Sequence, residues 1–317
     1  MKMSSMIDKI ALILIVGPTA VGKTDLSLRL AEKYNGEIVS VDSRLFYRGM
    51  DIGTAKPSKE EQARVPHHLV DVTDPDQTWS LSIFQEEAKK AIEDIASRGK
   101  LPILVGGTGQ FVRAVIEGWL PPEQPPAPEL RTALENWAKE IGALPLYLRL
   151  AVLDPEAAAV IEYQNVRRTI RALEVIFSTG QKFSDQRRKS ESPYNVLQIG
   201  LTRPRPELYA RVDQRIADML AAGLVDEVRG LLEKGYPPDL PAFSAIGYKQ
   251  IIDNLQGEIS LEEAVLLIKR LTRIFVRRQT NWFRLTDPQI HWFAPNEQSY
   301  VDIIQLIDTW RSINGGK

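Results

Sequence analysis

The chain has 317 residues, which is enough for two domains or for one large domain with an insertion. Its 40 lysines and arginines balance 41 aspartates and glutamates and 44% of its residues are hydrophobic, a composition that excludes a disordered chain. The absence of cysteine excludes disulfides, thiolate zinc sites and cysteine nucleophiles, and it favours a reducing cytoplasm. The apolar run from Ile10 to Gly17 is too short to cross a bilayer, so no membrane partner is expected.

Strands and helices alternate in the first part of the chain. Apolar, β-branched runs predict strands at 10–16, 37–41, 68–72 and 101–105. Helical spacing predicts a helix at 25–34, and a capping box of Ser82 and Gln85 predicts a second helix that reaches Ser97. This alternation predicts an α/β fold with a doubly wound, mostly parallel sheet, in which ligands bind at the carboxyl ends of the strands.

The second part of the chain is mainly helical. Five prolines within 121–128 predict a turn or semi-rigid linker, and the pattern is helical from there to about residue 189. A strand is predicted at 196–201, then helices at 207–221, 225–234, 245–255 and 261–283, and a short strand at 290–293. We therefore predict that 1–120 and 196–317 form a core and that 121–195 is a helical insertion domain.

A phosphate-binding loop follows the first predicted strand. The segment GPTAVGKT fits the pattern GxxxxGK[ST] without a mismatch and precedes a predicted helix. In such a loop, backbone N–H groups point at phosphate oxygens, the lysine supplies a cation and the final hydroxyl can hold Mg²⁺. The predicted phosphate ligands are Gly17, Pro18, Thr19, Ala20, Val21, Gly22, Lys23 and Thr24, with Thr24 as the metal ligand. The alternative is a chance glycine turn before a helix.

Asp42 directly follows the second predicted strand and should open into the same crevice as Lys23. There its carboxylate can accept a proton from a nucleophile or help to hold a metal ion. The alternative is that Asp42 caps a turn with Ser43. An NTP hydrolase usually carries an acidic residue at the end of another buried strand, but the strand at 101–105 ends in Gly106 and Gly107.

Two segments of the chain are basic, although the net charge of the whole chain is only −1. The segment 160–190 has seven lysines and arginines against three acidic residues, and 266–285 has six and no acidic residue. Such tracts suggest a polyanion larger than a nucleotide, and a solvated helix face is the alternative. Helical spacing places Arg270, Arg273 and Arg277 on one face, and the core-facing residues are expected to be Ile268, Leu271, Phe275 and Trp282. Adjacent His67 and His68 would point to opposite sides of an extended segment, which favours a structural or substrate-contact role over a metal site.

Seven motifs of this chain resemble, in order, those of the bacterial tRNA dimethylallyltransferases (isopentenyl-tRNA transferases). They are GPTAVGKT, VDSRLFYRGMDIGTAKP, PHHLVDV, LVGGTGQFVRAV, RRTIRALEV, AFSAIGYKQI and RRQTNWFR, and they span nearly the whole chain. The resemblance implies a fold similar to P-loop kinases, dimethylallyl diphosphate as donor, and the adenosine on the 3′ side of the tRNA anticodon as acceptor. It also implies Mg²⁺ and an insertion that grips the anticodon stem-loop. We expect a monomer.

Two other functions would share the phosphate-binding loop. A nucleotide or metabolite kinase leaves the basic tracts and the helical insertion unexplained. An NTP-driven RNA-binding switch needs an acidic residue where Gly106 and Gly107 stand.

The resemblance also assigns roles to single residues. It makes Thr19 and Asp42 the catalytic pair and either Arg211 or Arg215 a diphosphate ligand. Leu45 stands where the family has glutamine. The family would use that amide to contact the acceptor adenine once it has flipped out of the tRNA loop, so one expected contact is missing. The residues assigned to tRNA by the resemblance or by the second basic tract are Asp42, Ser43, Arg44, Leu45, Thr108, Val166, Arg167, Arg168, Thr169, Ile170, Arg270, Arg273, Arg277 and Arg278.

Overall fold

The computed structural model describes residues 9–77, 79–120, 127–186, 188–189 and 191–313. The predicted linker at 121–128 therefore lies largely outside the described residues. The strands are β1 Ile10–Val16, β2 Gly36–Ser40, β3 His67–His68, β4 Leu101–Gly106, β5 Trp119–Leu120, β6 Arg188–Lys189, β7 Tyr194–Leu201 and β8 Ile290–Phe293.

The helices fall into three stretches of the chain. Those before the insertion are α1 Lys23–Tyr34, α2 Lys59–Arg64, α3 Leu81–Ser97 and α4 Gly109–Ile116. The next are α5 Pro128–Ile141, α6 Ala143–Leu153, α7 Pro155–Ala159, α8 Val166–Thr179 and α9 Phe183–Gln186. The last are α10 Arg205–Ala221, α11 Leu224–Glu233, the 3₁₀ helix η1 Pro241–Ser244, α12 Tyr248–Leu255, α13 Leu261–Trp282 and α14 Glu297–Ile313. No described helix is both long and apolar enough to cross a membrane.

Six strands form one parallel sheet in the order β3-β2-β4-β1-β7-β8. The central strand β1 is buried on both faces, because its side chains alternate between two apolar clusters. Ile13 and Ile15 pack with residues of α1 and of the helices from α10 onward, while Leu12, Leu14 and Val16 pack with α3 and α4. The predicted α/β fold class, a doubly wound parallel sheet, is confirmed.

The chain divides into two compact units, one that ends at Ile116 and resumes at Pro193, and one that spans Glu117–Ser192. The second unit contains α5 to α9 around its own apolar core, which includes Leu146, Leu150 and Leu173. It also contains the antiparallel pair β5 and β6, and neither strand was predicted from the sequence.

Three local predictions are wrong. The strand predicted at 68–72 is only two residues long, because Leu69 (φ 62°) and Asp71 (φ 55°) have left-handed backbone conformations. Helix α3 is capped by Ser80 and not by Ser82, since the Ser80 hydroxyl accepts the Ile83 N–H. The third error concerns α13, where two residues expected to face the core, Phe275 and Trp282, are 37% and 38% exposed.

Candidate active site

The phosphate-binding loop lies between the carboxyl end of β1 and the first residue of α1. Gly17 (φ 145°) and Gly22 (φ 115°) adopt conformations that other residues rarely take. A Cβ atom on Gly17 would also lie 2.5 Å from the carbonyl oxygen of Leu201 in β7. The two glycines of the motif are therefore required by backbone shape as well as by access to a phosphate.

Lys23 reaches back across this loop. Its ammonium donates to the carbonyl oxygens of Gly17 (3.0 Å) and Pro18 (2.9 Å). Burial lowers the pKa of Lys23 to about 8; the Asp42 carboxylate opposes this shift and Arg215 adds to it. The loop thus contains a cation that a diphosphate would hold in its charged form.

Three arginines contact the loop from α10 and from the segment just before it. Arg203 donates to the carbonyl oxygen of Val21 (3.0 Å) and Arg211 to that of Ala20 (2.8 Å). Arg215 instead donates to the Thr19 hydroxyl (3.3 Å), and it is more buried than Arg211. Of the two arginines that the sequence left open, Arg211 thus supports the loop backbone, whereas Arg215 reaches a side chain of the loop.

The Asp42 carboxylate follows the carboxyl end of β2. Its Oδ1 accepts the backbone N–H of Arg44 at 3.0 Å, so Asp42 does form the turn that was the alternative to a functional role. The turn and the functional role are compatible, since Oδ2 makes no hydrogen bond to a described residue. Asp42 also influences the pKa of both Lys23 and Arg215, which places its charge among the cations of the site.

Gln279 of α13, like Arg203, contacts this site and was not predicted from the sequence. Its side chain is buried, accepts the Thr19 N–H at 2.9 Å and donates to the carbonyl oxygen of Gly107 at 3.2 Å. Gly107 begins the loop after β4 that carries Thr108, which is half-buried. A single glutamine inside a basic helix gave no signal of this role.

The other residues of the Asp42 segment are half-buried and contact neighbouring loops. The Arg44 guanidinium donates to the carbonyl oxygens of Pro241 and Ala242 and to the Ser244 hydroxyl, so it holds η1. The backbone oxygen of Leu45 accepts the N–H of Asp71. The structure thus gives Arg44 a scaffolding role beside its predicted contact with tRNA.

In the second compact unit, the residues assigned to tRNA differ in exposure. Arg167 and Arg168 are exposed at the start of α8, whereas Thr169 (0%) and Ile170 (4%) are buried. The Thr169 hydroxyl donates to the carbonyl oxygen of Asn165, whose side chain caps the helix. The surface that remains for a polyanion at this helix end comes from the two arginines and the half-buried Val166.

Most of the basic face of α13 is open to solvent. Arg270, Arg277 and Arg278 are exposed, while Arg273 pairs with Asp213 of α10 at 2.6 Å. A cavity of about 450 Å³ lies beside this face, and its lining residues are Tyr209, Asp213, Leu266, Lys269, Arg270, Arg273 and Arg277. Four cations against one carboxylate make the cavity suitable for a phosphate group.

The two histidines have structural partners. His68 Nε2 lies 2.7 Å from the buried Glu37 carboxylate, which also binds Arg98 and Lys100. His67 Nδ1 lies 2.8 Å from the Val65 carbonyl oxygen, and burial lowers the pKa of this imidazole. Within the part of the chain that the structure describes, no three histidine, aspartate or glutamate side chains converge to hold a metal.

Comparisons with known proteins agree on one family. The family model "IPP transferase" matches residues 45–286, and "Isopentenyl transferase" matches 10–71. A tRNA dimethylallyltransferase of Roseiflexus sp. (strain RS-1) is 57% identical over 275 residues, which are 87% of this chain and 90% of that protein. That of Chloroflexus aurantiacus (strain J-10-fl) is 51% identical over 92% of this chain and 98% of its own length.

Two solved structures are similar over almost the whole chain. The tRNA isopentenylpyrophosphate transferase of Bacillus halodurans has a TM-score of 0.73 and 41% identity, with 97% of this chain and 98% of that chain covered. A eukaryotic dimethylallyltransferase, crystallised while acting on tRNA, has a TM-score of 0.81 and 27% identity, with 97% and 80% covered.

Proposed function

Because the chain belongs to the IPP transferase family of tRNA dimethylallyltransferases, we propose that it transfers a dimethylallyl group from dimethylallyl diphosphate to tRNA. The acceptor is the exocyclic amine of the adenosine on the 3′ side of the anticodon, and diphosphate is released. The observation that carries the proposal is the grouping of Lys23, Arg215 and Asp42 around the Thr19 loop. This arrangement provides cations for a leaving diphosphate and a carboxylate for a proton.

The leaving group is where this site can stabilise charge most. As the allylic C–O bond breaks, positive charge develops on the prenyl carbon and negative charge on the diphosphate oxygen. The ammonium of Lys23, the guanidinium of Arg215 and the loop N–H groups are preorganised to bind that oxygen and its neighbours. The Thr19 hydroxyl, held by Arg215, orients the bridging oxygen.

The proton balance assigns a role to Asp42. The exocyclic nitrogen of adenine forms a bond to the prenyl carbon and must lose one proton. Oδ2 of Asp42 accepts that proton, while the Arg44 N–H on Oδ1 fixes the direction of the carboxylate. The resulting products are prenylated adenosine, diphosphate and a protonated Asp42 that returns its proton to solvent.

A magnesium ion fits the donor set at the start of α1. Mg²⁺ commonly takes few protein ligands together with substrate phosphates, and the Thr24 hydroxyl offers one such ligand. When bound, the ion would neutralise charge on the diphosphate.

A base in a tRNA loop must leave its stack to reach this crevice, at a cost of about a few kcal/mol. Contacts to the tRNA backbone must offset that cost. We assign these contacts to the exposed arginines of α13 (Arg270, Arg277 and Arg278) and of α8 (Arg167 and Arg168), and we propose that the helical unit 117–192, which contains α8, grips the anticodon stem-loop. We also propose that the protein acts as a monomer, which sedimentation with and without tRNA tests.

The experiment that tests the function combines protein, tRNA, Mg²⁺ and labelled dimethylallyl diphosphate, with labelled ATP in a parallel reaction. We expect label in tRNA from the prenyl donor and none from ATP. Phosphoryl transfer or ATP hydrolysis at about 1 to 100 s⁻¹, without prenyl transfer, would identify a kinase instead.

A further inference from the structure

Gln279 joins two loops that are far apart in sequence. Its Oε1 accepts the N–H of Thr19 in the phosphate-binding loop, 260 positions away, and its Nε2 donates to Gly107 in the loop that carries Thr108. The side chain is only 5% exposed. Because one partner is a donor and the other an acceptor, only one orientation of the amide satisfies both.

The backbone of Gly107 packs closely against this amide. A Cβ atom on Gly107 would lie 2.1 Å from Nε2 of Gln279 and 3.1 Å from the carbonyl oxygen of Gly17. On the other side of Thr108, a Cβ atom on Gly109 would lie 2.3 Å from the ring of Trp282, which is three residues after Gln279. Helix α13 therefore fixes both neighbours of Thr108, one through a hydrogen bond and one through packing.

We propose that Gln279 is a positioning residue that sets the distance and orientation between Thr19 and the Thr108 loop. The inference rests on the proposed function, with Thr19 at the diphosphate and Thr108 at the target nucleotide, as the resemblance to the family implies. The hydrogen bonds of the Gln279 amide go to the two loops, so in this proposal the residue acts through them. The donor and the acceptor must meet in one geometry, and a displacement of about 1 Å can lower a rate by about a hundredfold.

The position of Gln279 on α13 also connects the two loops with the tRNA contact that we propose for the arginines of this helix. Arg277 and Arg278 immediately precede it and are exposed, while Gln279 points into the protein. A polyanion bound by these arginines would thus rest on the helix that fixes both loops.

The test uses Gln279→Glu, which changes one group and keeps the shape. Its carboxylate still accepts the Thr19 N–H. When ionised, however, it has an oxygen in place of the Nε2 donor, and this oxygen repels the carbonyl oxygen of Gly107. Once protonated, it donates to that carbonyl as the glutamine does. We therefore expect the kcat of Gln279→Glu, divided by that of wild type at the same pH, to rise severalfold as pH falls from about 8 to about 6.

Several charged groups bear on the pKa of the introduced carboxyl. Lys23 of α1, Arg215 of α10 and Arg113 of α4, as well as Arg277 and Arg278 of α13, favour its ionised form, while Asp42 and burial oppose ionisation. The division by wild type removes the titrations that both proteins share. The matched control is Gln305→Glu on the exposed side of α14, whose ratio to wild type should stay near one at every pH.

A second variant covers the case in which Gln279→Glu fails to fold, as judged by circular dichroism and thermal melting. Gln279→Met fills the same space without either hydrogen bond, so we expect about a tenfold or larger loss of kcat, with tRNA affinity within twofold of wild type and no recovery at low pH. A ratio near one for Gln279→Glu at every pH, or wild-type kcat for Gln279→Met, would overturn the positioning role. If wild-type protein transfers no prenyl group, the proposed function fails instead.

Discussion

At the residue scale, the Asp42 carboxylate forms a turn and is our proposed proton acceptor, and the two roles can be separated by mutation. Asp42→Asn keeps the oxygen that accepts the Arg44 N–H but removes the basicity. We expect kcat to fall about 10²- to 10⁴-fold with unchanged melting temperature and tRNA affinity, measured by single-turnover prenyl transfer and filter binding. A variant with near-normal turnover would leave Asp42 only its role in the turn.

The two arginines of α10 give a second residue-scale prediction. Because Arg215 contacts the Thr19 hydroxyl and Arg211 contacts the Ala20 carbonyl oxygen, we propose that Arg215 stabilises the leaving group and that Arg211 supports the loop backbone. Arg215→Gln should lower kcat about 10²- to 10³-fold, the range for removing one preorganised donor, and the matched Arg211→Gln should lower it less than about tenfold. Equal losses in steady-state kinetics would contradict the assignment.

The lowered pKa of Lys23 predicts how the affinity for the diphosphate of the donor depends on pH. In the free enzyme burial lowers its pKa to about 8, and only the charged form attracts diphosphate. Affinity for inorganic diphosphate with Mg²⁺ should therefore fall as pH rises through about 8, relative to Lys23→Arg, whose guanidinium stays charged. Calorimetry from about pH 7 to about pH 9.5 measures both proteins. A constant ratio of the two affinities would show that Lys23 is not the titrating ligand.

The residues of the site differ in how visible they are in the sequence. Lys23 and Thr24 belong to a contiguous motif whose spacing reflects the loop geometry, and Asp42 is found from the end of a predicted strand. Gln279 leaves no such trace, because its two partners are backbone groups that only the folded chain brings together. The choice between Arg211 and Arg215 likewise needed the direction of each side chain.

At the element scale, continuous apolar runs located the buried strands, since both faces of a parallel sheet are covered. β1 and β8 occur at the predicted residues, and β7 begins two residues earlier than predicted. Periodicity failed where backbone conformation decides, as at Leu69 and Asp71 after β3. It also failed along α13, where Val276 and Gln279 face inward and the larger Phe275 and Trp282 do not.

Helix α8 carries two exposed arginines that we propose to contact tRNA and a third arginine that forms an ion pair within the protein. Arg167 and Arg168 are exposed, whereas Arg171 pairs at 2.9 Å with Glu174, whose side chain is fully buried. The double variant Arg167→Ala/Arg168→Ala should weaken tRNA binding and flatten its log–log salt dependence by up to about two units, without effect on diphosphate binding.

Arg171→Ala serves as the contrast on the same helix. Because it removes one of the two arginines that pair with Glu174, it should lower the free energy of unfolding by about 1 to 3 kcal/mol and leave the salt slope unchanged. Titrations of labelled tRNA at several salt concentrations, together with urea unfolding, measure both effects. A wild-type slope for the double variant would make α8 a solvated face.

At the scale of the whole molecule, the distribution of charged residues along the chain is more informative than the net charge. The net charge of −1 gave no sign of a nucleic-acid partner, yet 266–285 carries six basic residues and no acidic one. The same helix that presents these arginines reaches the phosphate-binding loop through Gln279. The parallel sheet places the carboxyl ends of β1, β2 and β4 at one edge. The phosphate-binding loop, Asp42 and Thr108 follow these three strands and therefore lie at that edge.

The most direct test of the account is to find where the prenyl group goes. Purified protein is incubated with Mg²⁺, dimethylallyl diphosphate and a tRNA that has adenosine on the 3′ side of its anticodon, and the digested tRNA is analysed by mass spectrometry. We predict that one C5H8 unit is added to the exocyclic amine of that adenosine, with one diphosphate released per transfer. Unmodified tRNA, or a C5H8 unit attached at another position, would contradict the account.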